Sequence, residues 1–199
     1  MKRPLLSIFS FIVMLSMAHA AVETGATAPD FTLTDTTGTE HSLSDFKGKY
    51  VVLEWTNHRC PFVKKFYSKG HMQELQKEMA GASVVWLQIV SSAEGKQGYV
   101  SAAEGEALRQ QMNMASAAML LDADGTVGKL YSAKTTPHMF LINPQGKLIY
   151  QGAIDSVRSA KAADIEGAEN YVKNAFMASI TGKPIEPATT KPYGCGIKY

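Results

Sequence analysis

The chain carries two cysteines, Cys60 and Cys195, in very different surroundings. Cys60 follows an apolar run, Val51-Val52-Leu53, and a polar turn, Thr56-Asn57-His58-Arg59, and it precedes Pro61-Phe62-Val63-Lys64-Lys65-Phe66. Proline suits the first position of a helix, where its missing N–H would have had no partner. The order therefore predicts Cys60 at the N-cap, facing free amide N–H groups and the positive end of the helix dipole. A thiol held there ionises more easily, and the thiolate is the nucleophile of disulfide exchange and of peroxide reduction. The plainer alternative is an inert buried cysteine, since free cysteines are among the most buried residues. Such a residue sits more often among apolar neighbours than between Arg59 and Pro61.

Cys195 lies in Lys191-Pro192-Tyr193-Gly194-Cys195-Gly196, a glycine-flanked tail four residues short of the C-terminus. Extended chain from Gly182 reaches on the order of 40 Å. Contact with Cys60 is therefore within range, either as a structural disulfide or as a redox partner that resolves an intermediate on Cys60.

The first twenty residues read as an address. Lys2 and Arg3 are followed by an apolar stretch from Leu5 to Met17 and by Ala18-His19-Ala20, a small-x-small cleavage pattern. The run is short for a membrane span, so a mature chain beginning at Ala21 is expected, exported to the periplasm or secreted, with no stable membrane association. An uncleaved anchor is the alternative. Export also suits disulfide chemistry. Of the 20 Lys and Arg residues two fall in this leader, leaving 18 against 18 Asp and Glu. That balance gives no basic patch for nucleic acid. The expected organisation is a leader over 1–20, one domain over 21–182, and a tail over 183–199.

Strands and helices alternate through that domain. An alternating strand and a Thr37-Gly38-Thr39 turn form a hairpin, and Ser42 to Gly48 reads as a short capped helix. Strands are expected over Tyr50–Trp55, Ser83–Val90 and Met119–Asp122. A helix from Pro61 to Ala80 is kinked or split at Gly70. Ser101 and Glu104 form a capping box for a helix to about Met112, and Thr126 to Tyr131 makes a short helix. Pro144-Gln145-Gly146 joins two further strands as a hairpin, and Asp164 is expected to cap a last helix. Trp55 and Trp86 read as core, and Lys64 and Lys65 as the solvated face of their helix.

Gly25-x-x-Ala28-Pro29-Asp30-Phe31, Cys60-Pro61 at a helix start, and Thr135-Thr136-Pro137 before a strand and hairpin appear in the order found in one superfamily. The chain resembles the thioredoxin-like superfamily, in its peroxiredoxin-related redoxin branch (AhpC/TSA-related), with a Cys-Pro-Phe-Val turn. The resemblance implies an α/β thioredoxin-like fold, a central mixed β-sheet flanked by helices with an N-terminal β-hairpin extension. It also implies a cis peptide before Pro137, where an ordinary trans turn is the alternative, and a carbonyl edge beside Thr136 for an extended substrate chain. Two departures matter. A thioredoxin-type dithiol needs a second cysteine three positions after the first, and Val63 stands there. Peroxiredoxins carry a proline seven residues and a Thr or Ser three residues before their cysteine, where this chain has Leu53 and Asn57, and an arginine where this chain has Pro137.

The catalytic set read from these motifs is Cys60, Cys195 and Pro137, supported by Asn57, His58, Arg59, Pro61 and Thr136. His58 is a candidate to stabilise the thiolate, and Asn57, Arg59 or Arg158 to stand in for the missing peroxide-activating groups. His138, with Cys60 and Met139, raises a copper site, but copper chaperones on this fold pair two cysteines in one turn. No cofactor and no metal are expected. Three functions follow, in order: thiol–disulfide exchange by Cys60 with Cys195 as resolving thiol; peroxidase reduction of small hydroperoxides through Cys60; and a non-catalytic metal- or partner-binding module. The partners are correspondingly a thiol or disulfide protein substrate or a small hydroperoxide, with an external thiol reductant.

Overall fold

The computed structural model describes residues 22–199, and the leader and its cleavage site lie outside them. Five strands form the central sheet in the order β5-β4-β3-β7-β8. They are β3 (Val51–Trp55), β4 (Val85–Val90), β5 (Ala118–Leu121), β7 (His138–Ile142) and β8 (Leu148–Gly152). β3 runs parallel to β4 and antiparallel to β7, so the sheet is mixed, as expected. Every residue of β3 is buried, which fits a central strand covered on both faces. The expected hairpin is β1 (Thr32–Thr34) against β2 (Glu40–Ser42). Asp35 closes its turn, its Oδ1 accepting from the amides of Thr37 at 2.8 Å and Thr39 at 3.0 Å.

Alternation along β3 divides the core. Val52 and Glu54 face α1 (Pro61–Tyr67), α2 (His71–Gly81) and α5 (Tyr171–Ile180). Val51, Leu53 and Trp55 face the other way, towards Phe31, Leu43 and α4 (Thr126–Leu130). α3 (Ala102–Gln111) lies against β5, with Leu108 near Met119. Its capping box forms as read, Ser101 Oγ accepting from the Glu104 amide and Glu104 Oε2 from the Ser101 amide.

One open local reading is settled and two change. Gly70 splits rather than kinks the helix after Cys60: its φ of 83° is open to glycine and closed to most residues, and it ends one helix and caps the next. Asp164 falls in a short 3-10 turn, Ala162–Ile165. The cap of α5 is Asn170, whose Oδ1 accepts from the Lys173 amide at 2.9 Å. Asn170→Ala is expected to cost about 1 kcal/mol of stability, measurable as a lower urea midpoint; an unchanged midpoint would mean that α5 is held by its packing alone. Third, Lys64 is exposed as expected but Lys65 is buried. Helical spacing turns Lys65 inward beside Phe66, and the buried Asp155 meets it there.

The tail is bound to the domain at several points. The Ala153 amide donates to Thr190 Oγ1 at 2.9 Å, and the Ala93 amide donates to the Lys198 carbonyl at 2.8 Å. Between them β9 (Cys195–Gly196) pairs antiparallel with β6 (Thr135–Thr136), so Cys195 stands opposite Thr136.

Candidate active site

The turn after β3 is built by Asn57. Its Oδ1 accepts from the Arg59 amide at 2.9 Å, its Nδ2 donates to the Gln97 carbonyl at 3.2 Å, and its own carbonyl accepts from the Cys60 amide at 2.9 Å. Cys60 is the N-cap of α1 with Pro61 at the first helical position. Its carbonyl accepts from Val63 at 3.1 Å and Lys64 at 2.9 Å. α1 has only seven residues, so a long-helix dipole is not what governs the sulfur. Discrete donors are.

The Cys60 side chain is fully buried. As a thiol it donates to the Thr136 carbonyl at 3.1 Å. Burial by itself pushes its pKa up, but the Cys195 thiol, the Thr136 side chain, and the amides of Val63 and Cys195 favour the thiolate and bring it below the ordinary value. The Thr136 hydroxyl is buried and has no partner while Cys60 is protonated. An orphaned buried hydroxyl costs free energy that a thiolate acceptor would recover. Cys195 moves the opposite way: burial, and the neighbouring Cys60 sulfur, push it up. Both cysteines are in the free state. Of the two sulfurs Cys60 is therefore the one that ionises first.

The lid over Cys60 is the tail. Gly194 lies so close to β6 that a Cβ there would be driven into the Thr136 carbonyl oxygen, and its φ is 138°. Pro137, whose peptide bond with Thr136 is cis, follows that carbonyl. Thr136, Pro137 and Cys195 are therefore assembled around Cys60.

Among the described residues no hydrogen bond joins His58, Arg59, Arg158 or His138 to the sulfur. His58 is half-buried, and burial with the charges of Arg59 and Lys64 lowers its pKa, which keeps the ring neutral near pH 7. Arg59 and Arg158 are exposed. Leu53 packs on the far side of the sheet from Cys60. His138 follows the alternation of β7: it lies on the face of Phe140, with ring centroids 4.4 Å apart, while Met139 and Leu141 share the Cys60 side. Its Nδ1 accepts from the Lys134 amide at 3.3 Å, and burial drives its pKa down to about 3. His138 and Met139 thus point to opposite faces and do not converge on Cys60. A cavity of about 520 Å³ between Ala28, Phe46, Val51 and Pro144 opens at the other end of β3, away from both cysteines.

Two groups escaped sequence reading. Glu54 is fully buried and accepts from Tyr67 Oη at 2.9 Å and Trp86 Nε1 at 2.8 Å. Its signal was a carboxylate inside the apolar run Val51 to Trp55. The other is the cluster of Lys65, Asp155 and Tyr193, scattered along the chain and without a motif.

The mixed sheet, the cis-proline strand and the cysteine at a helix start define a thioredoxin-like protein. The chain belongs to the AhpC/TSA family, whose model matches residues 24–151. It is 29% identical over 129 residues to the thiol-disulfide oxidoreductase ResA of Bacillus subtilis, a match covering 65% of this chain and 66% of that protein. The curated relatives matched are each spanned over about two thirds of their length or less. Among solved structures, a hypothetical protein of Sinorhizobium meliloti superposes with a TM-score of 0.76 at 24% identity, over 90% of this chain and 96% of that one. The thioredoxin domain of a thiol-disulfide oxidoreductase from Bacteroides vulgatus gives 0.52 at 20% identity, over 74% and 98%.

Proposed function

We propose that the protein is a thiol–disulfide oxidoreductase in which Cys60 is the nucleophile and Cys195 the resolving thiol. The carrying observation is that two free cysteines meet at Thr136, Cys60 by donating to its carbonyl and Cys195 by pairing opposite it. The likeness to ResA supports the same chemistry. The substrate is a polypeptide disulfide. The Cys60 thiolate attacks one of its sulfurs, forms a mixed disulfide, and expels the other as a thiolate. Cys195 then gives its proton to that thiolate or to water and attacks the Cys60 sulfur, releasing the second substrate thiol. The substrate gains two electrons, and the protein loses two as the Cys60–Cys195 disulfide forms. An external dithiol returns it to the reduced state.

Peroxide reduction is the weaker reading. The residues at the peroxiredoxin positions are Leu53, turned to the opposite face, and Asn57, whose amide is spent on the turn. Arg59 and Arg158 are exposed. The leader over 1–20 favours an exported location, where a disulfide partner would be met; among the described residues no helix is long and apolar enough to cross a membrane.

The test is turnover of a disulfide-bonded polypeptide with dithiothreitol as donor. Cys60→Ser is expected to lose essentially all turnover. Cys195→Ser should accumulate a mixed disulfide on Cys60, visible as a mass adduct. Retained turnover in Cys60→Ser would end the proposal, and hydrogen peroxide consumed faster than the disulfide would replace it with the peroxidase reading.

A further inference from the structure

The strand that brings Cys195 to Cys60 is tied down by a buried polar cluster set apart from the reacting atoms. Lys65 stands on α1, five residues after Cys60, with its side chain fully enclosed. Its Nζ donates to Asp155 Oδ2 at 2.8 Å, to the Val157 carbonyl at 3.0 Å and to Tyr193 Oη at 3.3 Å. Tyr193 Oη in turn donates to Asp155 Oδ1. The Tyr193 ring stands edge-on to Phe62, with centroids 5.8 Å apart. An ammonium taken out of water is tolerated only when polar partners surround it. Here one of those partners comes from the tail, two residues before Cys195. Burial and the adjacent Asp155 carboxylate push the Tyr193 phenol above its ordinary pKa, so it remains a donor.

The cluster joins both halves of the redox pair: Cys60 through α1, and Cys195 through Tyr193. We propose that Lys65, Asp155 and Tyr193 form a latch that positions Cys195 against Cys60 and so sets how readily the two sulfurs join. The latch rests on the Cys60–Cys195 exchange proposed above. Closing an intramolecular disulfide depends on the effective concentration of one thiol at the other, and a tail released from Tyr193 samples more positions. Release also lets water reach Lys65 and Asp155.

The experiment equilibrates the reduced protein in glutathione buffers of graded ratio, quenches with acid and separates the products by mass. In that reaction the Cys60 thiolate attacks glutathione disulfide and expels one glutathione. Cys195 then loses its proton, attacks Cys60 and expels the second, so two protein thiols are oxidised and one glutathione disulfide becomes two glutathiones. Tyr193→Phe keeps the ring against Phe62 and removes only the hydroxyl. Its equilibrium constant for the Cys60–Cys195 bond is expected to fall about tenfold or more, the weight of a hydrogen bond to charged partners, with a thermal transition confirming the fold. Tyr199→Phe, which loses only a bond to the Ala133 carbonyl, should shift it about twofold or less, as a neutral hydrogen bond at the low end of its range would. An unchanged constant in Tyr193→Phe, or equal falls in both variants, overturns the latch and leaves the exchange standing. A wild-type protein that forms no Cys60–Cys195 bond overturns both.

Discussion

Replacing Gly194 by alanine is expected to uncover Cys60. The new methyl group would be forced into the Thr136 carbonyl oxygen, the same atom that accepts the Cys60 thiol hydrogen, and the φ of 138° is one that alanine rarely adopts. Neither neighbour is a flexible side chain, so the tail must move. Overpacking of this kind costs typically about 1–3 kcal/mol, which is a factor of roughly 5 to 150 in the docked-to-undocked ratio. In reduced protein, alkylation of Cys60 is expected to accelerate by about tenfold or more, read as mass gained at that residue. Gly196→Ala is the matched control, because a Cβ there meets nothing within 4 Å. Equal alkylation rates in the two variants would show that the tail does not guard the sulfur.

The second large effect concerns Glu54. Burial raises its pKa from an ordinary 4.5 to about 7, against the opposing pull of donors from Trp86, Tyr67 and Gln76. The folded state therefore binds more protons than the unfolded state between those two values. Stability must then fall as the pH rises from about 4.5 through 7, and level off above. A shift of that size corresponds to about 3 kcal/mol. His138 acts in the opposite sense: its pKa, lowered to about 3, makes stability fall as the pH drops below about 6.5. The two slopes overlap in wild type, so the informative quantity is the difference between wild type and Glu54→Gln, in which His138 cancels. Glu54→Gln should be the less stable near pH 5, where its amide faces donors, and should equal or exceed wild type above pH 8. Urea midpoints measured across that range check it. A difference that stays constant with pH would mean that the Glu54 carboxyl keeps one charge state throughout.

These two sites share one face of the sheet. Cys60 and Glu54 both lie on the side covered by α1, α2 and α5. That face is shielded from water by apolar packing around Phe66, Met72 and Met139. In such surroundings each hydrogen bond to a charged atom counts for more than it would in solvent, and each missing one costs more. The same burial therefore acts differently on the two acids. At Glu54 the cost of burial outweighs the donors that meet the carboxylate and its pKa is raised, whereas at Cys60 the favouring groups outweigh burial and the thiol ends below its ordinary value.

Local chemistry was legible along the chain wherever neighbours in sequence are neighbours in space. Pro61 after Cys60, the Ser101–Glu104 capping box and the Pro144–Gly146 hairpin each depend on fewer than six consecutive residues, and each forms where it was expected. The order of strands and helices followed from hydrophobic period, because a strand buried on both faces and a helix buried on one leave different patterns. The side of the sheet on which a residue falls was harder to read. Whether His138 faces Cys60 was left open by the sequence; alternation along β7 turns it to Phe140, and the start of that strand fixes the alternation. Lys65 read as solvated because nothing near it in the chain reveals Asp155, ninety residues away, or Tyr193, one hundred and twenty-eight away. Cys195 had reach but no direction until β9 paired with β6. Hydrogen bonds between distant segments choose among the many places a tail can lie, and their partners are known only once the chain has closed on itself. The placing of Cys60 at a helix start was thus written in one short stretch of residues, while its acidity, its cover and its neighbouring sulfur came from the folding of the far end of the chain back over the sheet.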